Sequence, residues 1–123
     1  MQRLSGQDAF FLYRETPTTH QHTLKVMLYE PPDPLPSYAE IKAGVGRHLH
    51  LMPLLRRRLV WVPLHLHHPV WIEDPDFDLD YHVRRLGVPP PGGPREVDEM
   101  ISEIASHALD RAHPLWELWV LEG

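Results

Sequence analysis

The sequence has 123 residues, which suits one domain and is too short for two. Hydrophobic residues make up 42% of it and charged residues 24%, a balance that excludes a coiled coil, a transmembrane protein and a fully disordered chain. The formal net charge of −5 argues against nucleic-acid binding, because that function needs a broad basic surface. No cysteine is present, so disulfides, thiolate nucleophiles and cysteine zinc sites are excluded. Residues 1–8 are too polar for a signal peptide, and we expect a cytoplasmic protein.

The first part of the chain predicts a helix, a strand and a second helix. Residues 5–13 combine a serine cap with a short apolar run, which indicates a helix. Residues 22–30 alternate between two faces and contain β-branched and aromatic residues, a pattern typical of a strand. Residues 37–52 begin with a capping box and carry apolar residues at three- and four-residue steps, so they predict a helix that Pro53 ends.

The remainder predicts four strands and one helix. Two short strands with aromatic residues, 58–62 and 70–73, flank a hairpin loop, and alternation predicts a further strand at 77–83. After a break rich in proline and glycine, residues 97–109 show the clearest helical period in the sequence, and a last strand is predicted at 116–121. The order α-β-α-β-β-β-α-β predicts an α+β fold, with a mixed sheet and flanking helices.

The histidines suggest a metal site as one hypothesis. Ten are present, and three groupings have H-x-H spacing: His20-x-His22, His48-x-His50 and His65-x-His67-His68. On a strand such a pair shares one face and could chelate zinc or nickel, whereas on a helix the two side chains point about 200° apart. Because no third ligand is visible, we favour surface histidines and assign no metal ligand.

An acidic repeat resembles the start of a calcium-binding loop. It has the form Asp74-x-Asp76-x-Asp78-x-Asp80. A calcium loop of the EF-hand type needs Gly at its sixth position and Glu at its twelfth, where this sequence has Leu79 and Arg85. The repeat therefore predicts the solvated edge of a strand, whose charges discourage pairing between edges.

Residues that could carry catalysis are scarce. His67-His68 could include a general base, but Pro69 to Glu73 follow without an Asp-Gly pair, so we assign it no catalytic role. No Ser/His/Asp set, phosphate-binding glycine loop or paired carboxylates can be identified.

Four ordered motifs carry a resemblance to a known family. They are Leu4-Ser5-x-x-Asp8-x-x-Phe11; Pro53-Leu54-Leu55-Arg56-Arg57-Arg58-Leu59; Trp71 with Asp76-Phe77-Asp78-Leu79 and His82-Val83-Arg84-Arg85; and Leu109-Asp110-Arg111 with Pro114-Leu115-Trp116-Glu117 and Leu121-Glu122-Gly123. Together they resemble the N-terminal portion of bacterial wax ester synthase/diacylglycerol acyltransferases, of the type abundant in mycobacteria and other actinomycetes. The resemblance covers essentially all of the chain.

The resemblance implies transfer of an acyl group from acyl-CoA to diacylglycerol or a long-chain alcohol, which gives triacylglycerol or wax ester. It implies no cofactor, since acyl-CoA is a substrate. It also implies a fold similar to chloramphenicol acetyltransferase, with two α/β halves and a tunnel between them. The base in this family is a histidine of an HHxxxDG motif, which takes the proton of the attacking hydroxyl.

This chain has no HHxxxDG motif, which the resemblance places just beyond Gly123. We therefore expect residues 1–123 to be the N-terminal part of an acyltransferase domain that is inactive alone, and we assign no catalytic residue. The family motif Pro114, Leu115, Trp116 and Glu117 is expected to have a structural role rather than to shape the tunnel.

Two other functions stay open, a non-enzymatic module that completes a separately encoded acyltransferase half and a histidine-based metal-binding protein. The predicted strand Trp116–Leu121 would have an unpaired edge, so we expect self-association or binding of a C-terminal half there. A lipid substrate also implies peripheral association with the inner membrane or with lipid droplets.

Overall fold

The structure, a computed structural model, describes residues 2–16, 20, 22–28 and 36–122. These residues form a mixed α+β arrangement. The helices are α1 (Gly6–Arg14), α2 (Tyr38–His48), α3 (Leu79–His82) and α4 (Pro94–Ala105). The strands are β1 (Gln2–Arg3), β2 (Arg57–Val60), β3 (Val70–Glu73), β4 (Val83–Gly87) and β5 (Leu118–Glu122).

The first sheet is antiparallel, with the strand order β1-β3-β2. The hairpin predicted from residues 58–62 and 70–73 is confirmed, because β2 and β3 pair with Leu59 opposite Trp71. Strand β1 was not predicted, because two polar residues carry no period. Helix α1 packs on this sheet through a buried cluster of Leu4, Ala9 and Leu59. Ser5 caps that helix as predicted, since its hydroxyl accepts a hydrogen bond from the backbone N–H of Asp8 at 3.1 Å.

The second sheet consists of β4 and β5, which are parallel, with Val83 opposite Leu118. Parallel neighbours need a crossover connection, and α4 provides it. Pro94 starts α4 three residues earlier than predicted, and Ser106 ends it, because its hydroxyl donates to the carbonyl of Glu103 at 2.6 Å. The predicted single mixed sheet is therefore wrong for the described strands, which form one antiparallel and one parallel sheet.

The strand predicted at residues 77–83 is wrong, because α3 occupies most of this range and β4 begins only at Val83. Aspartates turn the chain here. The carboxylate of Asp78 accepts a hydrogen bond from the N–H of Asp80 at 2.9 Å and caps α3. Local capping of this kind competes with strand pairing. A segment whose apolar residues alternate can therefore form a helical turn instead of a strand.

The strand predicted at residues 22–30 is also wrong where the structure describes it. Residues 22–28 form no strand, and residues 29 and 30 lie outside the described residues. Met27 and Leu28 are largely exposed, with 72% and 82% of their surface accessible. An alternating pattern makes a strand only when a neighbour supplies the ladder of hydrogen bonds.

Helix α2 is shorter than predicted. It ends at His48, and 3₁₀ turns follow at Leu49–Leu51 and Pro53–Arg56. Between the two turns Met52, with φ of −133° and ψ of 68°, lies outside the helical region that the residue before a proline avoids. One helical glycine has a packing reason, since a Cβ on Gly46 would lie 3.1 Å from the side chain of Leu79. Helix α2 therefore packs closely on α3.

Candidate functional site

A cluster of aromatic rings surrounds His82, where α3 meets β4 and the segment before β5. The side chain of His82 is fully buried. Its ring lies between two nearly parallel aromatic rings, that of Phe77 at 5.1 Å and 13° and that of Trp116 at 4.5 Å and 14°. Offset stacking of this kind adds to the stability that burial provides.

One hydrogen bond determines the state of the His82 ring. Nδ1 lies 2.7 Å from the backbone carbonyl oxygen of Trp116. A carbonyl only accepts, so Nδ1 carries the proton and donates, and Nε2 is left as an acceptor. Nε2 is buried and has no partner among the described residues. A buried nitrogen of this kind cannot contact a substrate. If Nε2 were protonated, its N–H would have no hydrogen-bond acceptor.

Burial lowers the pKa of His82, and the nearby His113 lowers it further. The hydrogen bond to the Trp116 carbonyl and the carboxylates of Glu117 and Asp74 oppose this effect. His82 is therefore neutral near pH 7, and its chemistry is that of a fixed hydrogen-bond donor rather than a proton shuttle.

The lowered pKa predicts acid sensitivity. The unfolded state binds a proton near pH 6.5 and the folded state only at lower pH, so the contribution of His82 is complete above about pH 6.5 and is lost as pH falls through the folded pKa. Urea unfolding across this range should show a smaller loss of stability in His82→Asn than in the parent, because asparagine can donate to the same carbonyl but does not titrate. Parallel losses in both proteins would contradict this prediction.

A second layer of side chains covers the cluster. The rings of Tyr81 and His113 stack at 3.8 Å. The guanidinium of Arg84 lies 4.3 Å from the ring centre of Tyr81 and 5.2 Å from that of Trp119. Burial, followed by the charges of nearby carboxylates, raises the pKa of Tyr81, so this phenol keeps its proton at neutral pH. These contacts join β4 to β5 through their side chains as well as their backbones.

The predicted motif Pro114–Glu117 bridges the two sheets. Pro114 is fully buried, and Leu115 packs against the core of the first sheet. The indole N–H of Trp116 donates to the carbonyl of Leu55 at 2.7 Å, just before β2. The backbone N–H of Trp116 donates to the carbonyl of Pro114 at 2.9 Å, which explains why β5 begins at Leu118 and not at residue 116 as predicted. The structural role of the motif stays a prediction that this geometry favours.

The H-x-H groupings lie in separate places. His20 and His22 stack at 5.5 Å, and Nε2 of His20 lies 2.8 Å from the carbonyl of Ser106. His68 meets the hydroxyl of Tyr13 through Nδ1 at 2.8 Å, and His48 meets the carbonyl of Gly44. Within the described ranges, no three histidine, aspartate or glutamate side chains form a group that could hold a metal ion.

The acidic repeat is not the solvated strand edge that the sequence predicted. Asp74 is buried, accepts a hydrogen bond from the N–H of Asp76 at 2.9 Å and lies 3.7 Å from Arg58. Asp80 pairs with Lys42 of α2. The aspartates therefore stabilise the turn that places His82 in the aromatic cluster.

The comparison with known proteins identifies the family. Residues 4–123 match the wax ester synthase/diacylglycerol acyltransferase catalytic domain. The chain belongs to this family. Two proteins of Mycobacterium tuberculosis strain H37Rv, with diacylglycerol O-acyltransferase in their names, are 44% and 47% identical over 126 and 128 residues. Each match covers the whole of this chain and 26% or 27% of the relative, so this acyltransferase-family chain spans about a quarter of the length of these relatives.

A solved structure supports the same assignment. The wax ester synthase/diacylglycerol acyltransferase from Marinobacter aquaeolei VT8 is 27% identical, with a TM-score of 0.73 over the whole of this chain and 30% of that protein. The resemblance read from the sequence is thereby confirmed, and the chain corresponds to an N-terminal portion of the family. No helix in the described part of the chain is long and apolar enough to cross a membrane.

The sequence interpretation gave His82 no role of its own. It placed the residue on the solvated face of the strand predicted at 77–83 and within the motif His82–Arg85, and that placement is wrong, because the side chain is fully buried. The available signal was a histidine with Phe77 and Tyr81 before it and Val83 after it, since a polar residue in such a setting is often buried with one hydrogen bond. The partner of that bond, a carbonyl 34 residues further along the chain, could not be found without the fold.

Proposed function

We propose that this chain is the N-terminal part of an enzyme that transfers an acyl group from acyl-CoA to diacylglycerol or to a long-chain alcohol. The observation that carries the proposal is the family match over residues 4–123. The names of the Mycobacterium tuberculosis relatives favour diacylglycerol as the acceptor. A fold of the chloramphenicol acetyltransferase type, with a tunnel between two halves, is part of the proposal.

The proposed reaction needs a base but no cofactor. A base removes the hydroxyl proton of the acceptor while its oxygen attacks the thioester carbon of acyl-CoA and a C–O bond forms. The C–S bond then breaks, and the CoA sulfur takes the proton from the base and leaves as the thiol. We assign that base to the HHxxxDG histidine expected beyond Gly123 and none to this chain. His82 is sealed from substrate, and His67-His68 lacks the Asp-Gly pair.

The proposed contribution of this chain is structural. His82 donates to the backbone carbonyl of Trp116, and the indole of Trp116 donates to the Leu55 carbonyl before β2. The residue just before β5 is therefore held through both its backbone and its side chain. In the described part of the chain, β5 pairs only with β4. We propose that the part of the enzyme that carries the base adds to the free edge of β5.

A turnover assay tests whether the catalytic base lies outside this chain. The purified chain should neither hydrolyse palmitoyl-CoA nor acylate diacylglycerol. The 47% identical relative, assayed under the same conditions, should acylate diacylglycerol, with or without hydrolysis of palmitoyl-CoA. Any turnover by the purified chain would contradict the proposal, because it would require a base within this chain, where we assign none; its loss in His67→Ala or His68→Ala would identify that base.

A second candidate, favoured by the same edge of β5, is a non-enzymatic module that completes a separately encoded acyltransferase half. Affinity capture of the chain with a protein that carries HHxxxDG, and recovery of acyl transfer in the pair, would support it. Gel filtration distinguishes this candidate from self-association through Trp116–Leu121, which gives a dimer of this chain without any partner.

We propose further that the enzyme acts while bound peripherally at the inner membrane or at lipid droplets. The proposed acceptors of the acyl group are lipids.

A further inference from the structure

Residues 22–28 have the sequence of a strand but lie outside both sheets. Leu24, Val26 and Leu28 fall on one side of the alternating pattern, and 48%, 52% and 82% of their surface is accessible. The backbone groups of these three residues make no hydrogen bond to other described residues. A row of apolar side chains that is exposed together with an unpaired backbone is typical of a strand whose neighbour comes from elsewhere.

The start of this segment is held in place. Nε2 of His20 lies 2.8 Å from the carbonyl oxygen of Ser106 at the end of α4, and its ring stacks on that of His22 at 5.5 Å and 18°. The Nδ1 atoms of both rings are buried. Because α4 connects β4 to β5, the segment begins next to the helix that belongs to their sheet.

The helices beside the sheet of β4 and β5 are only half covered. Helix α2 contacts β4 through the hydroxyl of Tyr38, which donates to the carbonyl of Val83. No residue of α2 or of α4 is fully buried. The apolar stripe of α4 consists of half-buried side chains, which are Val97, Met100, Ile101 and Ile104. Helices normally bury such a stripe against a sheet of several strands, so two strands are too few to cover both helices.

We infer that residues 22–28 pair with a strand from the part of the enzyme outside this chain, and that the same strand pairs on its other edge with β5. A strand has two edges, so one strand supplies hydrogen-bonding partners to both and widens the sheet beside α2 and α4. The inference rests on the proposed function, because it takes this strand from the part of the enzyme that carries the base. The relatives have the length for such a part, since this chain spans about a quarter of them.

Other occupants of the segment account for fewer of these observations. A lipid surface would cover the apolar side chains but would offer the backbone no ladder of hydrogen bonds. A second copy of this chain would bring two more half-covered helices, so the sheets would stay too narrow. A strand accounts for the alternation, the unpaired backbone and the half-covered helices together.

Hydrogen exchange of the backbone amides tests the inference. Mass spectrometry follows residues 22–28 in this chain alone and in a fusion in which the chain replaces the matching portion of the 47% identical relative from Mycobacterium tuberculosis. A paired strand is protected from exchange, whereas an unpaired segment exchanges freely. The segment of the whole relative that matches residues 22–28 is followed as well, so the test does not depend on the folding of the fusion.

Two matched variants test the apolar side chains. The test variant is Leu24→Ser/Leu28→Ser. The control is Leu64→Ser/Leu66→Ser, which removes two leucines that are 87% and 78% exposed in the loop of a hairpin that is already paired. Both variants should keep the melting temperature of the chain alone within about 2 °C of that of the parent, because exposed side chains contribute little to stability.

We expect residues 22–28 to exchange about 100-fold more slowly in the fusion than in the chain alone. In the fusion, the test variant should lose about tenfold or more of this protection, and the control variant should lose none.

Three results would overturn the inference: free exchange of residues 22–28 in a folded fusion or of the matching segment in the whole relative, slow exchange of these residues in the chain alone, or equal losses in the two variants. Slow exchange that increases with the concentration of the chain would assign the pairing to a second copy. Exchange requires neither acyl-CoA nor turnover. An inactive fusion with protected residues 22–28 would therefore contradict the proposed function and leave the inference standing.

Discussion

Replacing His82 with alanine is expected to lower the free energy of unfolding by roughly 3–5 kcal/mol. The substitution leaves a cavity between the rings of Phe77 and Trp116, and it removes the donor from the Trp116 carbonyl. Domains of ordinary stability have only about 5–15 kcal/mol in total, so the substitution would remove a large share of the stability of the chain. Urea denaturation followed by tryptophan fluorescence measures the change.

His107→Ala is the matched control for this prediction. His107 is exposed, and its hydrogen bond with the carboxylate of Glu103 at 3.2 Å lies in solvent. Its loss should change the free energy of unfolding by no more than about 0.5 kcal/mol. A loss below about 1 kcal/mol in His82→Ala would show that the cluster does not hold β4 and β5 together.

Replacing Trp116 should have a comparable effect, which can be divided between packing and hydrogen bonding. Trp116→Ala removes the ring that stacks on His82 and the indole donor to the Leu55 carbonyl, and should cost roughly 3–5 kcal/mol. Trp116→Phe keeps an aromatic ring but removes the donor, and should cost about 1–3 kcal/mol. Both values come from urea denaturation at neutral pH.

The double variant tests whether the two residues act as one unit. Because His82 and Trp116 are in contact, the loss in His82→Ala/Trp116→Ala should be smaller than the sum of the two single losses by at least about 0.5 kcal/mol. Trp61→Ala serves as the control, since its ring lies on another surface and should combine additively with His82→Ala. An additive result for His82 and Trp116 would contradict the account of the cluster.

The elements that could be predicted are those that a local sequence pattern specifies, independently of the rest of the fold. The pair β2 and β3 was predicted because each strand has apolar and aromatic residues on both sides of a proline-bounded loop. Helix α4 was predicted because its period is unbroken, although Pro94 and Ser106 moved its ends. The family assignment came from the order of short motifs, and the match over residues 4–123 confirmed it.

The failures share a cause, which is that alternation describes a strand only when the chain has a neighbour to pair with. Residues 77–83 alternate well, but Asp78 satisfies backbone donors locally and makes a helix there instead. Residues 22–28 alternate, but they pair with none of the strands in the described part of the chain. The cluster around His82 could not be predicted, because it joins α3 to a carbonyl beyond α4.

The most direct test of the account is the activity of a fusion protein. This chain replaces the matching portion of the 47% identical relative from Mycobacterium tuberculosis, and transfer of labelled palmitate from palmitoyl-CoA to diacylglycerol is measured. If the chain is the N-terminal part of a lipid acyltransferase, the fusion forms triacylglycerol at a rate comparable to that of the relative. A fusion that folds like the relative but forms no triacylglycerol would contradict the account.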